Sequence, residues 1–110
     1  DRCDIDATTA WYLNDSTDPR DPAISPLLAP DLSTLPPTVI LTAGFDPLLD
    51  EAKRYAERLR TAGVATEFKC YETTIHAFLS FGILPVAREA RAWLAQRVVR
   101  YLVVPEKPCF

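Results

Sequence analysis

Few residues in this chain have chemistry to offer. Among its 110 residues stand one histidine, His76, and an aspartate, Asp46, that closely follows an apolar run. An acid and an imidazole at hydrogen-bond distance form the back half of a nucleophilic triad. The acid fixes the tautomer and stabilises the imidazolium, and the imidazole takes the proton from an attacking hydroxyl. Histidine suits general-base work because its side chain changes charge near neutral pH. Each residue also has a plainer reading. Asp46 precedes Pro47, as a helix cap would, and a lone loop histidine is often only solvated. Asp50 and Glu51 read as acids at a helix start, and no spacing supports a paired-carboxylate glycosidase site.

Other chemistries find less support. Cys3, Cys70 and Cys109 are odd in number, far apart and form no CxxC pair. With a single histidine beside them, neither a zinc site nor a disulfide framework is expected. Idle thiols in a reducing compartment, the cytoplasm, fit better. A net charge of -3 and a pI of about 5.0 argue against a nucleic-acid partner, which needs clustered Lys and Arg. No apolar run reaches the roughly 20 residues of a membrane span. The opening Asp1-Arg2-Cys3-Asp4 is too polar for a secretory signal. The chain contains no Met, so the expectation is a segment cut from a longer polypeptide.

The elements that must position Asp46 and His76 can be read from pattern. Thr38–Thr42 is β-branched and apolar, the signature of a strand buried on both faces in a parallel sheet. Ala43-Gly44-Phe45 reads as a turn. A helix is expected from about Asp46-Pro47, with Ala52, Tyr55, Ala56 and Leu59 on its apolar face and Gly63 as its stop. Thr66–Tyr71 alternates as a second strand, and Glu72–Leu79 reads as a loop carrying His76. A last helix is expected from about Val86 to Leu102, burying Ala87, Ala90, Leu94, Val98 and Tyr101, with Trp93 beside them. Residues 103–110 read as a tail broken by Pro105 and Pro108. Before residue 38, repeated prolines break any long helix. Trp11–Leu13 suggests one or two helical turns, and Trp11, Leu27 and Leu28 need a surface to cover them.

The resulting order is strand, helix, strand, helix, an α/β unit with a parallel pair joined through a helix. Loops beyond the carboxyl ends of adjacent parallel strands lie side by side, which is where reactive residues gather in open α/β sheets. Two strands are too few for a stable parallel sheet, because both faces need covering and the edge stays open. The pattern therefore describes the end of a larger sheet.

Several motifs stand in order: Ser25-Pro26-Leu27, Leu35-Pro36-Pro37-Thr38-Val39-Ile40, Asp46-Pro47-Leu48-Leu49-Asp50-Glu51, Tyr55-Ala56-Glu57-Arg58-Leu59, Ala62-Gly63-Val64 and Ile75-His76-Ala77-Phe78. This succession, over about residues 11–100, resembles the C-terminal portion of the hormone-sensitive-lipase-like carboxylesterases, the group called α/β-hydrolase fold 3. The resemblance implies an α/β-hydrolase domain in which residues 1–37 are the cap/core connection and loop, 38–102 the last two β-α units and 103–110 a tail. It implies that Asp46 is the triad acid and His76 the triad base, with Asp50 structural and the serine nucleophile upstream. It implies a small apolar ester as substrate, no cofactor, the missing N-terminal part of the same fold as partner, and a possible homodimer.

This chain departs from the family pattern in two ways. None of Ser16, Ser25, Ser33 and Ser80 lies in a GxSxG elbow, and no HGGG segment occurs, so the chain alone lacks a nucleophile and its oxyanion donors. The glycine usual after the histidine is Ala77. If the backbone there needs positive φ, Ala77 costs about 1 kcal/mol or more. Two other readings stay open: a catalytically inactive binding relative that keeps the fold, and a truncated remnant without activity. The half-covered sheet predicts that residues 1–110 expressed alone associate or aggregate. Size-exclusion chromatography checks this, and a monomer with one sharp unfolding transition would contradict it.

Overall fold

Thr38–Phe45 (β1) and Thr66–Ile75 (β2) pair as parallel strands in the computed structural model, which describes residues 2–13 and 17–102. Both strands run further than the periodicity suggests. β1 includes Ala43-Gly44-Phe45, expected as a turn, and β2 includes Glu72–Ile75, expected as a loop. The register explains both errors. Ala43 stands opposite Tyr71 but Phe45 stands opposite Ile75, so one residue of β1, Gly44, faces three of β2, Glu72, Thr73 and Thr74. This bulge interrupts the apolar pattern without ending the pairing. Gly44 fits there because a Cβ would lie 2.0 Å from the carbonyl oxygen of Glu72.

Between the strands runs α2, Leu49–Thr61. It begins a little later than expected, because Pro47 and Leu48 form a turn before the first helical residue. Its apolar face is the expected one: Ala56 and Leu59 are buried and Ala52 and Tyr55 half-buried. Leu59 joins Leu32 and Val64 in a core against which Ala29, Ile40, Tyr55 and Ala62 pack. Burial of Leu59 alone contributes about 2 kcal/mol. The helix ends in a Schellman motif. The Gly63 N–H donates to the Arg60 carbonyl and the Val64 N–H to the Leu59 carbonyl, each at 3.0 Å. Gly63 takes φ 83°, which an L-residue with a side chain resists. Val64 and Leu59 thus share both the terminating hydrogen bond and the core.

The proline-rich segment before β1 is held by local bonds. A helix, α1 (Arg2–Tyr12), is longer than the one or two turns expected, since the first proline comes only at position 19. Trp11 and Tyr12 at its end are both 83 % exposed, and Leu28 is also exposed. A short 3-10 turn, Pro26–Leu28, lies against α2 through Arg58, whose guanidinium donates to the carbonyls of Leu27 and, at 2.6 Å, of Ala29. Asp18, Asp21 and Asp31 each accept the N–H two residues on, from Arg20, Ala23 and Ser33 respectively, at 2.8 Å. The Ser33 N–H holds the Asp31 carboxyl below its usual range.

The chain divides into two compact units, Asp1–His76 and Ala77–Phe110. The second contains a 3-10 turn, Phe78–Ser80, and α3, Pro85–Leu102. Ala87 and Ala90 are buried as expected, while Val98, expected inside, is exposed, as are Val99 and Leu102. The apolar stripe of α3 is covered only toward its start. The expected tail, residues 103–110 with Cys109, lies outside the described residues, as does Ser16. No helix among the described residues is long and apolar enough to cross a membrane.

Gly63→Ala is expected to lower the unfolding free energy by about 1 kcal/mol or more, because alanine must take the same positive φ. Urea denaturation checks it.

Candidate active site

Asp46 and His76 each follow directly on the last residue of a strand, after Phe45 and Ile75. Those two residues are register partners, so the next residue on each strand faces the other across the sheet end. Nδ1 of His76 lies 2.8 Å from Oδ2 of Asp46. An ionised carboxylate can only accept. Nδ1 therefore carries the proton, and in the neutral imidazole Nε2 keeps a lone pair for a further donor. The second carboxylate oxygen, Oδ1, accepts the Leu48 N–H at 2.9 Å. Both ends of the carboxylate are thus held, one by the backbone of the turn into α2 and one by the imidazole.

The two readings of Asp46 offered by the sequence meet in this geometry. Asp18-Pro19-Arg20 and Asp21-Pro22-Ala23 form the same turn as Asp46-Pro47-Leu48, with the aspartate accepting the N–H two residues on. Asp46 is a turn-forming residue like them, but its remaining oxygen faces an imidazole. It does not cap α2 as an N-cap, since that position is Leu48. Asp50 and Glu51 occupy the first turn of α2, as expected, where the helix dipole favours negative charge.

The pair is asymmetric in exposure. The Asp46 side chain is 13 % exposed and that of His76 62 %. The acid is sheltered and the imidazole is open to an incoming group. Phe45 and Ile75, 70 % and 59 % exposed, flank the pair with bare apolar surface. A groove of about 600 Å³ lies between the 27–32 segment and α2, lined by residues including Leu27, Leu32, Arg54 and Arg58. Neither Asp46 nor His76 lines it, and it takes no part in the site.

Ala77 adopts φ 62° and ψ 16°, the left-handed region. The positive φ suspected from the sequence is therefore real. The Asp46–His76 bond forms even so. The residues missed by pattern alone are Gly44 and Thr74, which sit on the two sides of the bulge. The available signal was a glycine two residues after a β-branched run, with a polar Glu-Thr-Thr just before the histidine segment.

A family model described as alpha/beta hydrolase fold matches residues 1–80. The carboxylic ester hydrolase LipN of Mycobacterium tuberculosis is 50 % identical over 78 residues, 70 % of this chain and 21 % of the relative. Hormone-sensitive lipase of Mus musculus is 39 % identical over 92 residues, 81 % of this chain and 12 % of the relative. The structure of an ester-hydrolase from the metagenome of Lake Arreo, complexed with a derivative of bipyridine phosphonate, superposes with a TM-score of 0.79 at 39 % identity. That match covers 86 % of this chain and 31 % of the other. The chain thus spans between about an eighth and a third of these proteins.

Ala77→Gly is expected to stabilise the protein by about 0.5–1 kcal/mol. Relief of the left-handed alanine outweighs the added freedom of glycine in the unfolded chain. Chemical denaturation reads the sign, and a loss of stability would contradict the strain.

Proposed function

Since the chain belongs to the α/β-hydrolase fold family, in its hormone-sensitive-lipase-like branch, we propose that it supplies the acid–base part of a serine ester hydrolase. Asp46 is the triad acid and His76 the triad base. The nucleophilic serine and the oxyanion donors come from a part of the fold outside these 110 residues. Residues 1–37 then connect cap to core, and residues 38–102 are the last two β-α units. The observation that carries this reading is the 2.8 Å bond from Nδ1 of His76 to Oδ2 of Asp46 at the carboxyl ends of two parallel strands.

The chemistry follows from that bond. Nε2 of His76 accepts the proton of the serine hydroxyl as its oxygen attacks the ester carbonyl carbon. The imidazolium that forms is stabilised by Asp46, whose carboxylate is already fixed by the Leu48 N–H and need not reorganise. The carbonyl bond re-forms, the C–O bond to the alcohol breaks, and His76 returns its proton to the leaving oxygen. An acyl-enzyme remains. Water attacks it with its proton taken by Nε2, and the serine is regenerated. No cofactor enters this sequence. Small, mostly apolar carboxylic esters suit the apolar surface of Phe45 and Ile75 beside the pair. A reducing compartment such as the cytoplasm suits the free thiol of Cys70.

The inactive-relative reading drew its support from Ala77. The paired Asp46 and His76 beside a left-handed Ala77 weaken that support.

The test joins this chain to the serine-bearing remainder of its fold, in its own reading frame or as a chimera with the Lake Arreo enzyme. Turnover of p-nitrophenyl butyrate is expected, and Asp46→Asn and His76→Ala should each lower kcat by at least about a thousandfold. Residues 1–110 alone should show none. Retained kcat in either variant would remove the residue from the mechanism.

A further inference from the structure

We propose that Thr74 is a positioning residue for His76, because its hydroxyl closes the bulge that sets the imidazole opposite Asp46. The inference rests on the Asp46–His76 reading above and adds what holds that pair in register.

With the Ala43–Tyr71 register continued unbroken, Phe45 would face Thr73 and Asp46 would face Thr74. His76 would then sit two residues beyond Asp46, about 6.6 Å along the sheet at the rise of a parallel strand. A 2.8 Å bond between the side chains depends on removing that offset. The structure removes it by letting Glu72, Thr73 and Thr74 stand opposite the single residue Gly44, after which Phe45 meets Ile75.

A bulge of this kind disrupts the regular ladder locally, so the path of its inserted residues needs other bonds to fix it. Here the Thr74 hydroxyl donates to the Tyr71 carbonyl at 2.7 Å, spanning the inserted residues. Both residues are buried, at 6 % and 8 % exposure, so water is poorly placed to substitute for the hydroxyl. Glu72 and Thr73 between them are exposed. Gly44 completes the device from the other strand, since a Cβ there would lie 2.0 Å from the Glu72 carbonyl oxygen. Thr74 touches neither Asp46 nor His76 in any hydrogen bond among the described residues, and acts only through the path of the chain.

The experiment uses the folded protein carrying these residues together with the remainder of the fold. The proton shared between Nδ1 of His76 and Asp46 should give a far-downfield resonance, assigned by its loss in Asp46→Asn. Thr74→Val removes the hydroxyl at nearly constant volume, and Thr74→Ser keeps it. The expected result is loss or displacement of the resonance in Thr74→Val, with kcat lowered about a hundredfold at little-changed KM. Thr74→Ser should restore both. A Thr74→Val protein with the wild-type resonance and kcat overturns the inference and leaves the triad reading intact. A wild-type protein without the resonance overturns the triad reading itself. Should Thr74→Val fail to fold, Thr74→Ser decides. The wild-type resonance in it supports a role for the hydroxyl, and its loss shows that the methyl group matters instead.

Discussion

The carboxylate of Asp46 is the point on which the site depends. One oxygen takes the Leu48 N–H and the other takes Nδ1 of His76. The first bond belongs to the turn that launches α2, and the second crosses to the neighbouring strand. The same carboxylate therefore ties together the end of β1, the start of α2 and the end of β2. Its side chain is the more sheltered of the pair, whereas that of His76 is largely exposed. This division suits an acid that orients and a base that reacts.

Much of this was legible in the sequence, and the failures have a common cause. The apolar face of α2 and its stop at Gly63 follow from side-chain periodicity and from one residue's tolerance of positive φ, both local properties. Asp46 and His76 were visible because their types are rare or well placed and because the motifs around them resemble one family. The strand ends were not visible. Gly44 and Glu72–Thr74 look like turn and loop because their pattern breaks, yet they remain within the strands because the partner strand compensates. Register is a relation between two segments, and no single segment's periodicity encodes it. The length of α1 and the exposure of Val98 depend likewise on what packs against them.

Among the described residues, positive φ occurs at two places with opposite residue choices. Gly63 ends α2 without strain, whereas Ala77, next to the imidazole, takes the same region at a cost. Strain beside a reactive side chain is tolerated when surrounding bonds fix the geometry. Here the Asp46 bond and the bulge fix His76 from the strand side. The apolar surfaces left open, Phe45 and Ile75 at the sheet end and Trp11 and Tyr12 at the end of α1, are large for so short a chain. In the proposed enzyme the serine-bearing part of the fold and the ester share the surface at the sheet end.

Asp46 holds His76 with Nδ1 protonated, which leaves Nε2 of the neutral ring free to take a proton. The nitrogen chemical shifts of 15N-labelled His76, measured in the folded protein at a pH where the imidazole is neutral, test it most directly. An Nδ1–H tautomer is expected, with Nε2 showing the shift of an unprotonated ring nitrogen. An Nε2–H tautomer, or averaged shifts from a freely exchanging ring, would contradict it.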